Sequence, residues 1–383
     1  MRPLEGVRVV DATSYLTGPL CTVMLADLGA DVVKVERPPK GDPLRRIGHR
    51  FMGVSAQFAN INRNKRSIAV DLRVDDEVGA LRELLTTADV FVQNWRPGVA
   101  DGLGLSDETL AASNPRLVRV SITGYGHDGP RSAAPAFDAI LQGETGLAHR
   151  QARDGVPEPV RTYLADKVTG VMAAQAVLAA LLTRERTGRG ERVDVSMLDA
   201  VAYFNFPDMM ERRTFLDDPA ADEPVPEPAS FVVAASDGHL VIAPASGAQV
   251  QAALAVVGRP DDADRLRGLG ATELFTELMA LIEAATRRGP CDMWLERFAA
   301  ADVPVGRVAS LDDHLADPQV RHNGTYMLLR HERLGVHRVP AYPACFGGRR
   351  VDPPQQSFPD VGAESGQFDS QAPERVWRSV SGN

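Results

Sequence analysis

One acidic residue, Asp166, stands where a carboxylate could act as a nucleophile. It lies in the segment LADKVTG, directly before an alanine-rich stretch whose apolar residues have helical spacing. Amides at a helix start stabilise an ionised carboxylate, which predicts a low pKa for Asp166. An ionised carboxylate can attack a thioester and form a covalent intermediate. Because Asp is also a preferred N-cap, simple helix capping is the alternative role.

Three arginines follow predicted strands at equivalent positions. Arg37 follows DVVKVE, Arg73 follows SIAVDL and Arg96 follows DVFVQNW. Open α/β sheets bind ligands at the carboxyl ends of their strands. The three residues therefore predict a basic rim suited to an anionic, nucleotide-like ligand. The neighbouring run NRNKR at residues 62–66 adds positive charge but is typical of any solvated loop.

Several other chemistries lack their motifs in this chain. The nearest match to a dinucleotide-binding glycine pattern, Gly102-Leu103-Gly104, is not followed by the third glycine, and neither a P-loop nor a GxSxG elbow occurs. The eight histidines have no metal-site spacing, so we expect no metal. The three cysteines include no CxxC pair, which argues against a disulfide framework and against structural zinc. Cys21 lies in an apolar helix and is predicted to be a core residue.

Length and charge limit the classes of function. A chain of 383 residues favours two domains. A formal net charge of -9 disfavours nucleic acid as a partner. We see neither a signal-peptide pattern at the N-terminus nor an apolar run long enough to span a membrane. We therefore expect a cytoplasmic protein that has no membrane partner.

The elements that must position these residues follow an alternating pattern. Strands alternate with helices through about residue 125, which predicts a Rossmann-like large domain with a parallel sheet. A hairpin and several helices later in the chain predict a smaller α+β domain, so the fold class is α/β with two parts. The predicted strands are at residues 7–11, 31–36, 67–72, 89–93, 117–122 and 192–197, and the longest helix is at residues 167–185.

The domain boundaries follow from composition. We assign residues 1–205 to the first part of the large domain and 206–228 to a linker, because the segment DDPAADEPVPEP at 217–228 is acidic and rich in proline. The small domain is assigned to 229–308, a second linker to 309–335 and a C-terminal segment to 336–383. The composition after about Asp352 favours a poorly ordered tail.

An ordered set of motifs over most of the chain resembles the family III CoA-transferases, the CaiB–BaiF family. Any one of these motifs is weak, but the ordered set is highly specific. The matching segments are LEGVRVVD at 4–11, GP at 18–19, LADLGADVVKVER at 25–37, NRNKRSIAVDLR at 62–73, NWRPGV at 94–99, ITGYG at 122–126, ADKVTG at 165–170, RERTGRG at 184–190, VDVSMLDA at 193–200, DVPVGRV at 302–308 and DPQV at 317–320.

The resemblance implies a mechanism and a site. Asp166 would attack an acyl-CoA thioester, pass through a mixed anhydride and carry coenzyme A as a thioester, with helix-start amides as the oxyanion site. A carboxylic acid acceptor would then leave as a new acyl-CoA. CoA would be a substrate, with no permanently bound cofactor. The CoA site would be lined by Thr17, Gly18, Arg37, Val70, Arg73, Asn94, Trp95 and Arg96. The C-terminal segment would return to the large CoA-binding domain, and the fold would be an interlocked homodimer.

Two alternatives stay open from the sequence. Alpha-methylacyl-CoA racemases resemble this chain but carry a His-Asp pair where it has Phe137-Asp138, and Phe cannot exchange a proton. His127 is nearby but does not align with that histidine. The second alternative is an acyl-CoA-binding protein without turnover. Many relatives have Arg or Lys in place of Gly102, and the usual closing segment is altered to DVGAESGQF at 360–368.

Overall fold

A computed structural model describes residues 1–219, 230–366, 368 and 373–377 of the chain. The chain forms two compact units. The first contains Met1–Glu211 and Gly324–Asn383, and the second contains Arg212–Asn323. Part of the predicted acidic linker, residues 220–228, lies outside the described residues.

The first unit is built on a six-stranded sheet in which every neighbouring pair is parallel. The strand order is β5-β2-β1-β6-β7-β8. The chain adds strands to one side of β1 first (β2, β5) and then to the other side (β6, β7, β8). The boundary between β1 and β6 is therefore the topological switch point, where doubly wound sheets open a ligand crevice. The strands of this unit before residue 211 are β1 (Arg8–Ala12), β2 (Asp31–Glu36), β3 (Arg50–Phe51), β4 (Val54–Ser55), β5 (Lys65–Ala69), β6 (Val90–Gln93), β7 (Val118–Thr123) and β8 (Arg192–Ser196), with β3 and β4 forming a separate hairpin. The predicted parallel, Rossmann-like sheet is confirmed.

Helices cover both faces of this sheet. The unit's helices are α1 (Thr17–Asp27), α2 (Ala56–Ile61), α3 (Asp75–Thr86), α4 (Val99–Gly102), α5 (Asp107–Ser113), α6 (Asp138–Glu144), α7 (Leu147–Arg150), α8 (Leu164–Thr187) and α9 (Met197–Met209). On one face, Val9 and Val32 pack with α1, α6, α8 and α9 in what we call the first core. On the other face, Val10 and Val33 pack with α3 and α5 in the second core. Successive strand residues point to opposite faces of the sheet, and helices cover both faces. Residues of both kinds are therefore apolar, and the strands show no alternation of polar and apolar residues.

Helix α8 is the central helix of the first core. Ala173 and Val177 on it are fully buried, and the helix ends at Gly188, whose φ of 74° is the left-handed conformation typical of a helix C-terminus. By length and composition alone α8 could also cross a membrane. Half of its apolar window is buried inside the unit, as expected for the core helix of a globular protein.

The C-terminal part of the chain belongs to the first unit and packs on its N-terminal part. It contributes β12 (Tyr326–His331), β13 (Gly335–Pro340), β14 (Cys345–Phe346) and β15 (Arg349–Arg350), which form two hairpins. The altered closing segment binds the edge strand β5, since the Gly362 amide donates to Ser67 Oγ at 3.0 Å and the Ala69 amide to Ser365 Oγ at 2.8 Å. These bonds occupy polar groups of a strand edge that would otherwise be open. Trp377, in the segment expected to be poorly ordered, is 6% exposed and packs in the second core.

The second unit is a small α+β structure with its own core. A three-stranded antiparallel sheet consists of β9 (Val232–Ala235), β10 (Gly238–Ile242) and β11 (Val305–Arg307). Its core contains Leu240, Leu278 and Phe298, each fully buried. The helices are α10 (Gly247–Val256), α11 (Asp262–Arg267), α12 (Ala271–Thr286), α13 (Cys291–Ala300), α14 (Leu311–Ala316) and α15 (Pro318–His322). The segment assigned to a second linker, 309–335, therefore contains two helices and a strand.

Candidate active site

The loops after β1 and β6 meet where the strand order reverses. Asn94, just past β6, accepts from the Ser14 amide at 2.9 Å and donates to the Ser14 carbonyl at 2.9 Å. This pair of bonds fixes the loop that leads into α1. The two sides of the crevice are thereby held together at its base.

A cavity of about 610 Å³ opens beside these loops. Its walls come from the β1–α1 loop, the end of β6, the loop after β7 and the start of α8, all within the first unit. The lining is mostly apolar and includes Tyr15, Leu16, Thr17, Leu44, Ile47, Trp95, Arg96, Phe137, Asp138, Tyr163, Asp166 and Met197. Its size and lining are typical of a small-molecule site.

Asp166 lies on the wall of this cavity, inside the first turn of α8. The helix begins at Leu164, so the predicted start at Lys167 was three residues late. Tyr163 occupies the N-cap position and makes no side-chain capping bond. Asp166 is therefore not an N-cap residue, and the capping alternative is wrong.

Thr17, the first residue of α1, contacts the Asp166 side chain directly. The buried Thr17 hydroxyl donates a hydrogen bond to Asp166 Oδ1. Gly170, one turn further along α8, makes this contact geometrically feasible. A Cβ atom at Gly170 would lie 2.8 Å from the Thr17 carbonyl oxygen, so any side chain there would push the two helices apart.

Asp138 holds the backbone on the other side of Asp166. Its Oδ1 accepts from the Asp166 amide at 3.1 Å, and its Oδ2 accepts from Gln142 Nε2 at 2.7 Å. Gln142 also accepts from the Val160 amide at 2.8 Å, which ties α6 to the segment before α8. The Asp166 amide, one of the helix-start amides expected to form the oxyanion site, is thus already bound.

The pKa of Asp166 is raised above the ordinary value for Asp, contrary to the prediction from the helix start. Burial is the largest cause, and the nearby negative charge of Asp138 raises the pKa further. The hydrogen bond from Thr17 acts in the opposite direction and lowers the pKa. Burial and a like charge outweigh the stabilisation of the carboxylate by the helix start.

A buried charge network supports the loop that leads into Thr17 at the start of α1. Lys34 Nζ lies 3.0 Å from Asp42 Oδ2 and donates to the Thr13 carbonyl at 2.7 Å. Lys65 Nζ lies 3.0 Å from Asp11 Oδ2. Although burial alone would raise the pKa of Asp11, the two lysines hold it well below its usual range. The run NRNKR, interpreted from sequence as a solvated loop, is in fact buried from Asn62 to Arg66.

The predicted arginines are exposed at the strand ends, but they do not form one cluster. Arg73 follows β5 and Arg37 follows the adjacent β2, whereas Arg96 follows β6 on the far side of β1. Arg73 binds Asp71 through two bonds, of 2.9 Å and 2.6 Å, and with Arg37 it lowers the pKa of Asp71 to about 2. Arg96 lines the cavity of Asp166.

Comparison with known proteins decides the family. The model of CoA-transferase family III matches residues 4–365. The chain belongs to this family. It is 35% identical over 352 residues to a Mus musculus protein named succinyl-CoA:glutarate CoA-transferase, covering 89% of this chain and 80% of that protein. It is 35% identical over 324 residues to acetyl-CoA:oxalate CoA-transferase of Acetobacter aceti, covering 83% of each.

A solved structure has the same fold. The crystal structure of a CAIB/BAIF family protein from Brucella suis superposes with a TM-score of 0.83 at 28% identity, covering 96% of this chain and 99% of that one. The enzyme is accordingly a family III CoA-transferase, as the sequence motifs indicated.

The residues predicted to line the CoA site of this CoA-transferase occupy different environments. Thr17, Asn94, Trp95 and Arg96 line the cavity. Val70 as a whole residue is 1% exposed in the second core, and its amide donates to the Glu36 carbonyl at 2.9 Å, so it is not open to a ligand here. Gly18 is buried, and a Cβ there would lie 2.4 Å from Thr13 Cβ, so this glycine serves the close packing of α1 on the loop before it.

Sequence reasoning gave no role in this site to Tyr15 or Asp138, both of which line the cavity. Tyr15 has a φ of 66° and stacks edge-on against Phe137, with 6.2 Å between ring centroids. The Tyr15–Phe137 and Asp138–Asp166 contacts join segments that are far apart in the chain, so local sequence does not reveal them. The sequence did contain one indication of Asp138, in the segment PAFD at residues 135–138. Phe137 replaces the histidine of the racemase pair there, but Asp138 remains and could have been assigned a role by itself.

His127 lies outside the Asp166 cavity. Its Nε2 is 2.9 Å from Ser121 Oγ and 2.9 Å from Asp194 Oδ1, at a smaller crevice beside β7 and β8. Within the described residues, no group of three His, Cys, Asp or Glu side chains is arranged to hold a metal ion. Cys21 is fully buried, and burial raises its pKa to about 12. Neither residue is placed for chemistry at Asp166.

Proposed function

We propose that this CoA-transferase moves coenzyme A from an acyl-CoA thioester to a carboxylic acid, with Asp166 as the covalent carrier. The observation that carries the proposal is the half-buried Asp166 carboxylate on the wall of a 610 Å³ cavity, at the edge where doubly wound sheets bind ligands. A partly desolvated carboxylate is a stronger nucleophile than a hydrated one, and it needs no separate base.

The proposed sequence has four displacement steps. Asp166 Oδ2 attacks the acyl carbon, the carbon–sulfur bond breaks, and CoA leaves as a thiolate from a mixed anhydride. The thiolate attacks Cγ of Asp166, releasing the donor acid as a carboxylate and leaving an aspartyl-CoA thioester. The acceptor carboxylate then attacks Cγ and expels the thiolate, which attacks the acceptor's acyl carbon. Asp166 is released as a carboxylate, so no proton, metal or redox cofactor is consumed.

Cationic side chains at the strand ends are suited to the phosphates of CoA. We assign Arg37, Arg73 and Arg96 to phosphate contacts because each is exposed and guanidinium groups bind phosphate oxygens in pairs. Thr17, Asn94 and Trp95 would line the thioester end. Gly18 and Val70 would support this site only from behind, as buried residues. The chain's net charge of -9 makes such a local cationic rim necessary for binding an anion.

We further propose that the enzyme is a homodimer. Helix α9 exposes Tyr203 to 69%, Phe204 to 52% and Phe206 to 46%. Three exposed aromatic residues on one helix are unusual for a free surface and are typical of an interface. The membership of the chain in this family supports a second copy as the occupant of that surface.

Trapping the covalent intermediate tests the proposed chemistry. The protein would be incubated with succinyl-CoA or acetyl-CoA, the donors in the names of the two relatives, and with a panel of other acyl-CoAs. After hydroxylamine or borohydride treatment, peptide mass spectrometry should locate the modification at Asp166. Asp166→Ala should show none, while Asp128→Ala, which removes an exposed carboxylate elsewhere, should be modified like the wild type. Acyl-CoA binding without modification by any donor would instead favour a binding protein without turnover.

A further inference from the structure

The hydroxyl of Thr17 is placed to do more than line a pocket. Thr17 is 4% exposed, and its hydroxyl donates to one oxygen of the Asp166 carboxylate from the neighbouring helix α1. Close packing of α1 on Gly170 of α8 fixes the distance between the two side chains. A donor held in this way does not need to reorganise when charge develops on its acceptor.

We propose that the Thr17 hydroxyl is the oxyanion donor for reactions at Cγ of Asp166. The inference rests on the function proposed above. In the carboxylate, Thr17 binds Oδ1, so Oδ2 is the oxygen that attacks the donor thioester. In the anhydride and in the aspartyl-CoA thioester, Oδ1 is the carbonyl oxygen. When the CoA thiolate or the acceptor carboxylate adds to Cγ, the π electrons move onto Oδ1, and the hydrogen bond from Thr17 stabilises the resulting negative charge.

Three backbone amides at the start of α8 already have acceptors. The Asp166 amide already donates to Asp138 Oδ1. The Lys167 amide is bound to the Tyr163 carbonyl at 3.2 Å, and the Leu164 amide to the Thr162 carbonyl at 2.8 Å. Thr17 is therefore the donor that the structure shows on the carboxyl group itself.

The same hydrogen bond favours the ionised form of the resting carboxylate, because it lowers the pKa of Asp166. The charged group that faces Asp166 from α6 is Asp138, which opposes ionisation, whereas Arg96 lies on another wall of the cavity. Lys167, the next residue on α8, is engaged with the Thr162 hydroxyl at 2.6 Å. Loss of the Thr17 hydroxyl should thus shift the acid limb of the pH–rate profile to higher pH.

Three variants separate this role from simple packing. Thr17→Val keeps the shape and removes the hydroxyl, and Thr17→Ser restores a hydroxyl. Thr169→Val is the matched control, because Thr169 is fully buried on α8 but its hydroxyl donates to the Ala165 carbonyl, not to Asp166. Thr17→Ala provides a second hydroxyl-free variant if Thr17→Val does not fold.

The readout is the single-turnover rate at which CoA becomes attached to Asp166, with a donor that labels the wild type. The rate is measured on the plateau above the acid limb of each variant's pH–rate profile, where it reports on the chemistry at Cγ and not on ionisation. Thr17→Val should lower this rate and kcat by about 100-fold, with little change in KM for the acyl-CoA, as expected for the loss of one oxyanion donor. Thr17→Ser should recover most of the rate, and Thr169→Val should keep it.

The outcomes distinguish this inference from the function on which it rests. Labelling of wild-type Asp166 together with an unchanged rate in Thr17→Val would overturn the role of Thr17 and leave the carrier role intact. A rate lost equally in Thr17→Ser and Thr17→Val would also overturn it, since packing alone would then explain the loss. If wild-type Asp166 is never labelled, both proposals fail.

Discussion

At the scale of single residues, the pKa of Asp166 depends on the neighbouring Asp138 carboxylate and on the Thr17 hydroxyl, which act in opposite directions. Asp138 is needed to hold the start of α8, because its carboxylate binds the Asp166 amide. Its charge nevertheless opposes ionisation of Asp166, as does burial, while Thr17 favours it. The nucleophile is therefore held with a pKa above the ordinary Asp value, which makes it more basic and hence more nucleophilic once ionised.

This balance predicts the effect of Asp138→Asn on the pH dependence of activity. The reactive form of Asp166 is ionised, so activity is lost as pH falls through its raised pKa. Asparagine keeps an acceptor for the Asp166 amide but removes the negative charge, so the pKa should fall and the acid limb of kcat/KM should move to lower pH. The measurement is kcat/KM against pH with one acyl-CoA donor. Asp194→Asn, outside the cavity, should leave the limb in place, and a limb that moves to higher pH in Asp138→Asn would contradict the argument.

Gly102 allows a second test at the residue scale. It is exposed at the end of α4, and a Cβ there would meet nothing within 4 Å, so a longer side chain can be accommodated. Gly102→Arg should lower KM for acyl-CoA by about fivefold or less, the usual range for one exposed ion pair. The gain should disappear in high salt because exposed charges are screened. Gly79→Arg on α3 adds the same charge at another open glycine and should give no gain.

At the scale of elements, the packing of α1 on α8 brings the donor to the nucleophile. Gly170 permits that approach, so Gly170→Ala should separate the helices around Thr17 and Leu20. We expect a loss of about 1–3 kcal/mol of folding free energy from overpacking, together with a fall in kcat. Urea unfolding and steady-state kinetics measure the two effects. Gly79→Ala, at an open helical position, should instead leave activity unchanged and stabilise slightly, and equal behaviour of the two variants would refute this role of Gly170.

Elements with strong local signals were predictable, whereas those fixed by distant contacts were not. The inner strands could be located because residues such as Val9, Val10, Val32 and Val33 form apolar runs that only a doubly covered sheet requires. The start of α8 was misplaced because its support is the Asp138 carboxylate, 28 residues earlier in the chain. The pKa of Asp166 was predicted in the wrong direction for the same reason, since local sequence reveals a helix start but neither burial nor a neighbouring charge.

At the scale of the whole molecule, the C-terminal part of the chain is bound to the first half through specific contacts. Arg66 donates to the Val376 carbonyl, and Trp377 Nε1 donates to Thr87 Oγ1 at 2.8 Å. This region has no periodic pattern, so the sequence did not reveal these contacts. They depend on sites that the sheet offers, such as the edge of β5, and these sites exist only after the sheet has formed.

The exposed face of α9 leads to a prediction about assembly. If a second copy covers this face, the wild-type protein should sediment as a dimer, and Tyr203→Arg combined with Phe206→Arg should shift it to monomer. Each of these rings is 46% exposed or more, and burial of such aromatic anchors commonly contributes about 2 kcal/mol to an interface, or about 30-fold in the dissociation constant. Sedimentation velocity over a range of concentrations measures the change. Val74→Arg is the matched control, because Val74 is 42% exposed next to α3, which packs on the opposite face of the sheet from α9. A wild-type monomer, or a double variant that remains dimeric, would show that this face is not the dimer interface.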